Sequence, residues 1–167
     1  MERLEAVPGD WDPGGTEGRV NRAAPAPRLV SLTDAQAEVV RSSRGVVHLW
    51  RPARGVMVNR VEGTLTVEGG LAIERIMRRI VVEEGRYTGF NDWEAMTDYD
   101  SDCRTRLTRT VLDHKGHVED MHILLASPVV ALGVKTANLM VKILTVHTAR
   151  APFEAALHGA IHRRLKS

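Results

Sequence analysis

The stretch from Asp120 to Thr148, DMHILLASPVVALGVKTANLMVKILTVHT, decides the fold. Asp120 to Ala126 is apolar on both alternating faces, the pattern of a strand covered on both sides. Ser127-Pro128 then starts a helix, because a serine hydroxyl can take a free N–H of the first turn and proline fits the first helical position. Val129 to Val141 continues as a helix wetted only by Lys135, Thr136 and Asn138, and Ile143 to Thr148 reads as another strand. Strand, helix and strand in this order make a parallel pair joined by a right-handed crossover.

The same alternation continues outward in both directions. Downstream, Phe153, Leu157, Ile161 and Leu165 recur at helical spacing and line one face of a final helix. Upstream, Ser101 to Lys115 is a helix with Cys103, Leu107, Val111 and His114 roughly in line, and Arg86 to Trp93 is a strand. Leu71 to Glu84 places Ile73, Ile76, Met77, Ile80 and Val81 opposite Glu74, Arg75, Arg78 and Arg79, an amphipathic helix ended at Gly85, with Gly69-Gly70 as the turn into it. Val46 to Trp50 and Val56 to Thr66 are β-branched runs separated by Arg51-Pro52-Ala53-Arg54-Gly55, a β-hairpin. The order β-β-α-β-α-β-α-β-α predicts an α/β domain over residues 45–167, with an opening hairpin and helices packed on a mixed sheet whose later strands are parallel.

Residues 1–44 differ. Pro8, Pro13, Pro25 and Pro27, with Gly9, Gly14, Gly15 and Gly18, leave little apolar side chain for a core, so a flexible arm is expected. Only Val30 to Arg41 has helical character there, with Thr33 as its cap.

Composition excludes several classes of function. The 23 Lys+Arg against 21 Asp+Glu give a net charge of +2, too even for a nucleic-acid or membrane-surface binder. A lone cysteine, Cys103, builds neither a disulfide framework nor a thiolate zinc site, and points to a reducing compartment. With no apolar run of about 18 residues and no signal-peptide core, a cytoplasmic protein is expected.

No motif names a chemistry. His114, His117 and His122 fall on a helix end, a loop and a strand without HExxH or carboxylate spacing, so no metal is expected. His122 and His147 lie on strands that would be neighbours. Asp98 to Asp102 imitates a calcium loop but has Cys103 where glycine is required and Arg109 at the bidentate acid position; its acids read better as caps of the helix beginning near Ser101. Cys103, beside Arg104 and Arg106, is either a buried core thiol or one of lowered pKa. Tyr87, Phe90, Trp93 and Tyr99 form an aromatic cluster, either local core or the lining of a pocket beneath the second helix. Phosphate-binding glycine loops are absent, and no cofactor is expected.

The hairpin opening, HILLASPVVALGV and ILTVHTARAPFEAAL together resemble a STAS domain, the fold of anti-anti-sigma factors, over about Val46 to Leu165. More narrowly they resemble the SpoIIAA-like proteins of bacterial genomes that are also compared with the lipid-binding CRAL-TRIO fold. In anti-anti-sigma factors the strand leads into Asp-Ser-Ser/Thr-Gly, whose hydroxyl is phosphorylated by a kinase partner; Leu125-Ala126-Ser127-Pro128 stands there here, and Ser127 alone matches. The resemblance implies a non-enzymatic protein-interaction domain in signalling or sigma-factor regulation. Its partner would be a kinase or regulator, or a second copy, at Ser127, Val130, Leu132, Gly133, Lys135 and Thr136. The nearly all-apolar helix agrees, since a domain this small cannot bury such a helix completely, and Gly133 and Ala137 would admit another helix. Capping alone explains a serine before proline, so Ser127 reads first as an ordinary N-cap. A small-ligand or lipid-binding module with an apolar pocket is the alternative, and an enzyme using histidine or Cys103 the third reading.

Overall fold

Two long runs of β-branched residues pair as a hairpin, because adjacent strands joined by a short turn need little chain entropy to close. In the computed structural model, which describes Leu32 and residues 36–166, these are β2 (Gly45–Ala53) and β3 (Val56–Leu65), antiparallel with Leu49 opposite Asn59. On the outer side of β2 lies β1 (Glu38–Arg41), antiparallel to it. The helix expected over Val30 to Arg41 is therefore replaced at its end by a strand. Val39 and Val40 are β-branched, and the free edge of β2 offers them a ladder that outweighs weak local helix propensity. Its predicted cap Thr33, like residues 1–31, lies outside the described residues.

After β3 the chain alternates as expected. It runs through α1 (Val67–Glu84), β4 (Tyr87–Trp93), β5 (Met96–Tyr99), α2 (Ser101–Asp113), β6 (Val118–Leu125), α3 (Pro128–Val141), β7 (Leu144–His147) and α4 (Arg150–Leu165). The sheet order is β1-β2-β3-β4-β6-β7, with β3, β4, β6 and β7 parallel. β5, absent from the sequence expectation, continues along β3 where β4 leaves it, pairing Thr64 with Asp98. A four-residue strand with two exposed polar residues carries too little pattern to be read.

Strand alternation divides the core into two layers. Met57, Val61, Tyr87, Met121 and Ile123 pack under α1, α2 and α3. Val58, Phe90 and Leu124 pack with Phe153, Leu157, Ala160 and Ile161 of α4. Leu165, expected on that apolar face, is instead exposed at the last turn. The aromatic cluster is split by the same alternation: Tyr87, Trp93 and Tyr99 go with the first layer, Phe90 with the second.

Gly69-Gly70 is not a turn. Thr66 caps α1 by accepting the Gly69 N–H at 3.5 Å, and both glycines are helical. Their role is close packing: a Cβ on Gly70 would lie 2.3 Å from the Cys103 Sγ of α2, and one on Gly69 2.7 Å from Val47 Cγ2. The acids near Ser101 do stand at the start of α2, Asp100 as its N-cap residue and Asp102 in its first turn, where their charge offsets the helix dipole. Asp100 has no side-chain bond to that helix; it takes Arg44 at 2.8 and 3.0 Å and the Val67 N–H of α1 at 3.2 Å.

Gly70→Ala is expected to lower stability by about 1–3 kcal/mol through overpacking, despite alanine's better helix propensity. Cys103→Ala in the same chain should recover most of the loss. Urea unfolding of both variants checks this; a Gly70→Ala protein as stable as the parent would mean that α2 can retreat from α1.

Candidate functional site

The sheet beneath α2 and α3 carries a buried amide ladder. Asn59 Nδ2 donates to Asn91 Oδ1 at 2.6 Å across β3 and β4, Asn91 Nδ2 donates to the His122 carbonyl of β6 at 3.0 Å, and Trp93 Nε1 donates to Asn59 Oδ1 at 2.8 Å. With these polar groups turned onto one another, the surface above them is left apolar.

Over that floor lies a cavity of about 80 Å³, walled by Ile73 and Met77 of α1, Leu107 and Val111 of α2, and Val130, Val134 and Ala137 of α3. Trp93 and Tyr99 line it, as one reading of the aromatic cluster expected. It adjoins a more open groove of about 250 Å³ between α2 and α3, and Arg104, Thr108 and Ala137 border both.

α3 closes this cavity and is fixed at three points. Ser127 Oγ accepts the Val130 N–H at 3.4 Å, so Ser127 is the half-buried N-cap of the helix. Gly133 lies against the Tyr99 ring, where a Cβ would be 2.3 Å from the hydroxyl oxygen. Asn138 clamps the start of β7 by exchanging two hydrogen bonds with the Leu144 backbone, at 3.3 and 3.2 Å. Of the residues expected at an interface, Leu132, Lys135 and Thr136 are exposed, while Val130 and Gly133 face the core and contribute packing instead. Gly133 thus admits a tyrosine rather than a second helix.

Cys103 is buried, and burial, followed by the nearby Asp100 charge, pushes its thiol up to about 11. That is the inert core cysteine, not the activated one.

On the opposite face of the sheet the two expected neighbours do meet: His122 Nδ1 and His147 Nε2 are 3.0 Å apart. His122 stacks on Phe90, and His147 meets Phe153 edge-on. Burial lowers both pKa values; the mutual approach lowers that of His122 further, against the opposing charge of Asp120. Neutral rings fit this contact, one nitrogen donating and the other accepting. His114 and His117 turn their Nδ1 atoms to the carbonyls of Thr110 and Gly85. Among the described residues no group of three or more His, Cys, Asp or Glu could hold a metal.

An ionic cluster at the C-terminal ends of the strands escaped the sequence reading. Asp92, buried on β4, takes Arg150 of α4 through two bonds of 3.1 Å and Arg60 Nε at 3.2 Å, and Arg150 also pairs with Glu94. Residues 58 positions apart give no local signal.

No protein-family model and no curated protein matches the chain. Among solved structures it is similar to an uncharacterised protein of the DUF3478 family from Shewanella loihica PV-4, described as having a SpoIIAA-like fold. The match has a TM-score of 0.50 and 10% identity, and covers 72% of this chain and 91% of that one. The fold is SpoIIAA-like. In this SpoIIAA-like domain no helix among the described residues is long and apolar enough to cross a membrane.

The histidine pair sets a pH dependence. Because folding depresses both pKa values, the unfolded chain binds these protons first as pH falls below the ordinary value of about 6.5. Stability should therefore be full above that value and decline as pH falls below it. A His122→Gln, His147→Gln protein should show a flatter profile of melting temperature against pH over that window; an unchanged slope would assign the dependence elsewhere.

Proposed function

We propose that this SpoIIAA-like domain is a non-catalytic binding module that takes a small amphiphile between its sheet and α3. The observation that carries this reading is that the apolar cavity and the α2–α3 groove share Arg104, Thr108 and Ala137 as walls. An alkyl chain fits against Met77, Met96 and Ile123. An anionic head fits at the groove, where Arg104 has its guanidinium carbon 5.8 Å from the Tyr99 ring centre and no ion pair among the described residues.

A straight-chain carboxylate series tests it. Each methylene removed from water contributes about 0.8 kcal/mol, about fourfold in affinity. Titration calorimetry from hexanoate to decanoate should show that increment up to the length at which the cavity is full. Ala137→Trp should abolish binding while the protein keeps its melting transition. Affinity independent of chain length, or unaffected by Ala137→Trp, would sink the reading.

The outer side of α3 favours a second reading, contact with a protein. Leu132 and Leu139, two turns apart on one face, are 69% and 76% exposed, and Lys135 and Thr136 are exposed beside them. Under this reading the resemblance to anti-anti-sigma factors suggests a bacterial signalling kinase, a regulator or a second copy as the partner, with Ser127 as the modified hydroxyl. Leu132→Asp with Leu139→Asp should leave urea unfolding within about 0.5 kcal/mol and abolish any self-association seen by sedimentation. Self-association that persists in this variant would remove the outer side of α3 as the self-contact.

A further inference from the structure

α3 carries no acidic residue anywhere along Pro128–Val141. On its outer side Leu132, Lys135 and Leu139 follow one another at spacings of three and four residues, which places them in one line. Lys142 stands at the C-cap beyond them. All four are exposed, and neither lysine has an ion pair among the described residues.

α2 extends this face with charge of the same sign. Arg104, Thr105, Thr108, Arg109 and Leu112 border one groove with Thr136 and Ala137 of α3. Thr136, one turn beyond Leu132, joins that groove to the outer line of α3. Arg104 has no ion pair among the described residues, and the Arg109 side chain, 83% exposed, comes only within 4.0 Å of Asp113. Asp98, Asp102 and Asp113 stand before, at the start and at the end of α2, and none of them lines the groove. The net charge of +2 is a sum over the whole chain, and on this face the signs do not balance.

The occupant must therefore satisfy exposed leucines and unpaired cations together. A protein interface gathers its apolar residues in a core from which lysine is depleted. Here a lysine follows each leucine three residues on, so no such core forms. A nucleic acid would pair with the cations through its phosphates and leave Leu132 and Leu139 without an apolar partner. An anionic bilayer meets both demands: leucines enter the boundary of headgroups and acyl chains, while lysine and arginine stems lie along it with their charges at the phosphates. We propose that the α2–α3 face docks on an anionic lipid surface, with Leu132 and Leu139 inserted and Arg104, Arg109, Lys135 and Lys142 at the headgroups. The proposal stands on the outer side of the two helices and does not depend on the cavity beneath α3 holding a ligand.

Cosedimentation of the full chain with vesicles tests it. Vesicles of phosphatidylglycerol and phosphatidylcholine in equal parts should carry the protein down, pure phosphatidylcholine should not, and about 0.5 M salt should release it. Arg109→Gln, Lys135→Gln and Lys142→Gln combined should weaken binding at least about tenfold. Leu132→Ser with Leu139→Ser should weaken it about tenfold as well, and both variants should keep the parent melting transition. Ala137→Trp, which fills the cavity, should leave vesicle binding within about twofold, so that failure of the amphiphile reading and failure of this one are told apart. The proposal is overturned if anionic vesicles leave the protein in solution, if pure phosphatidylcholine binds it equally well, or if either the charge or the leucine variant binds as the parent does. Binding to polyglutamate as strong as binding to the anionic vesicles would assign the face to an acidic protein instead.

Discussion

The register of three parallel strands rests on one buried contact, the amide pair Asn59–Asn91 with its extensions to Trp93 and the His122 carbonyl. A buried amide is tolerated only when its donors and acceptor are satisfied. A slip of one residue between β3 and β4 would turn Asn91 or Asn59 into the apolar layer under α4 and strand it there. Apolar packing alone would not forbid that slip, because both faces of the central strands are covered by helices and both are rich in large apolar residues.

With register fixed, each face acquires its character from the alternation. On the α4 face, Phe90 and His122 stack, His147 reaches His122, and Asp92 gathers Arg60 and Arg150 at the strand ends. On the other face the amides face inward to each other and leave the cavity under α3. The same ladder therefore determines where the cavity lies and where α4 docks.

Much of this was legible in the sequence, and the failures share one physical cause. Long elements with strong period, from β2 to α4, were readable because burial imprints itself every second or every third to fourth residue. Four-residue strands are stabilised by their neighbours more than by their own pattern, so β1 and β5 escaped, whereas β7, as short and at the other edge, was readable because the run Ile143 to Thr148 stands between two helices. Gly69-Gly70 looked like a turn because the sequence does not show that Cys103 lies against it. In the candidate site, the apolar stretch Val129–Val141 marked the right helix, yet which residues faced outward depended on Tyr99, whose approach to Gly133 turns Leu132 and Leu139 to the surface. Asn59 and Asn91 gave no signal, because asparagine within a strand is atypical and its partner is 32 residues away.

α3 differs from the other helices in how it is held. α1 and α2 touch through a glycine with no room for a methyl group, and α4 lays Phe153, Leu157, Ala160 and Ile161 against the sheet. α3 places Val130 and Val134 in the core and is further fixed by its cap at Ser127, a glycine on an aromatic ring and an asparagine clamp, with a void beneath its inner face and leucines on its outer one. Anything that fills the void adds contacts on the inner face, and anything that covers Leu132 and Leu139 adds them on the outer face.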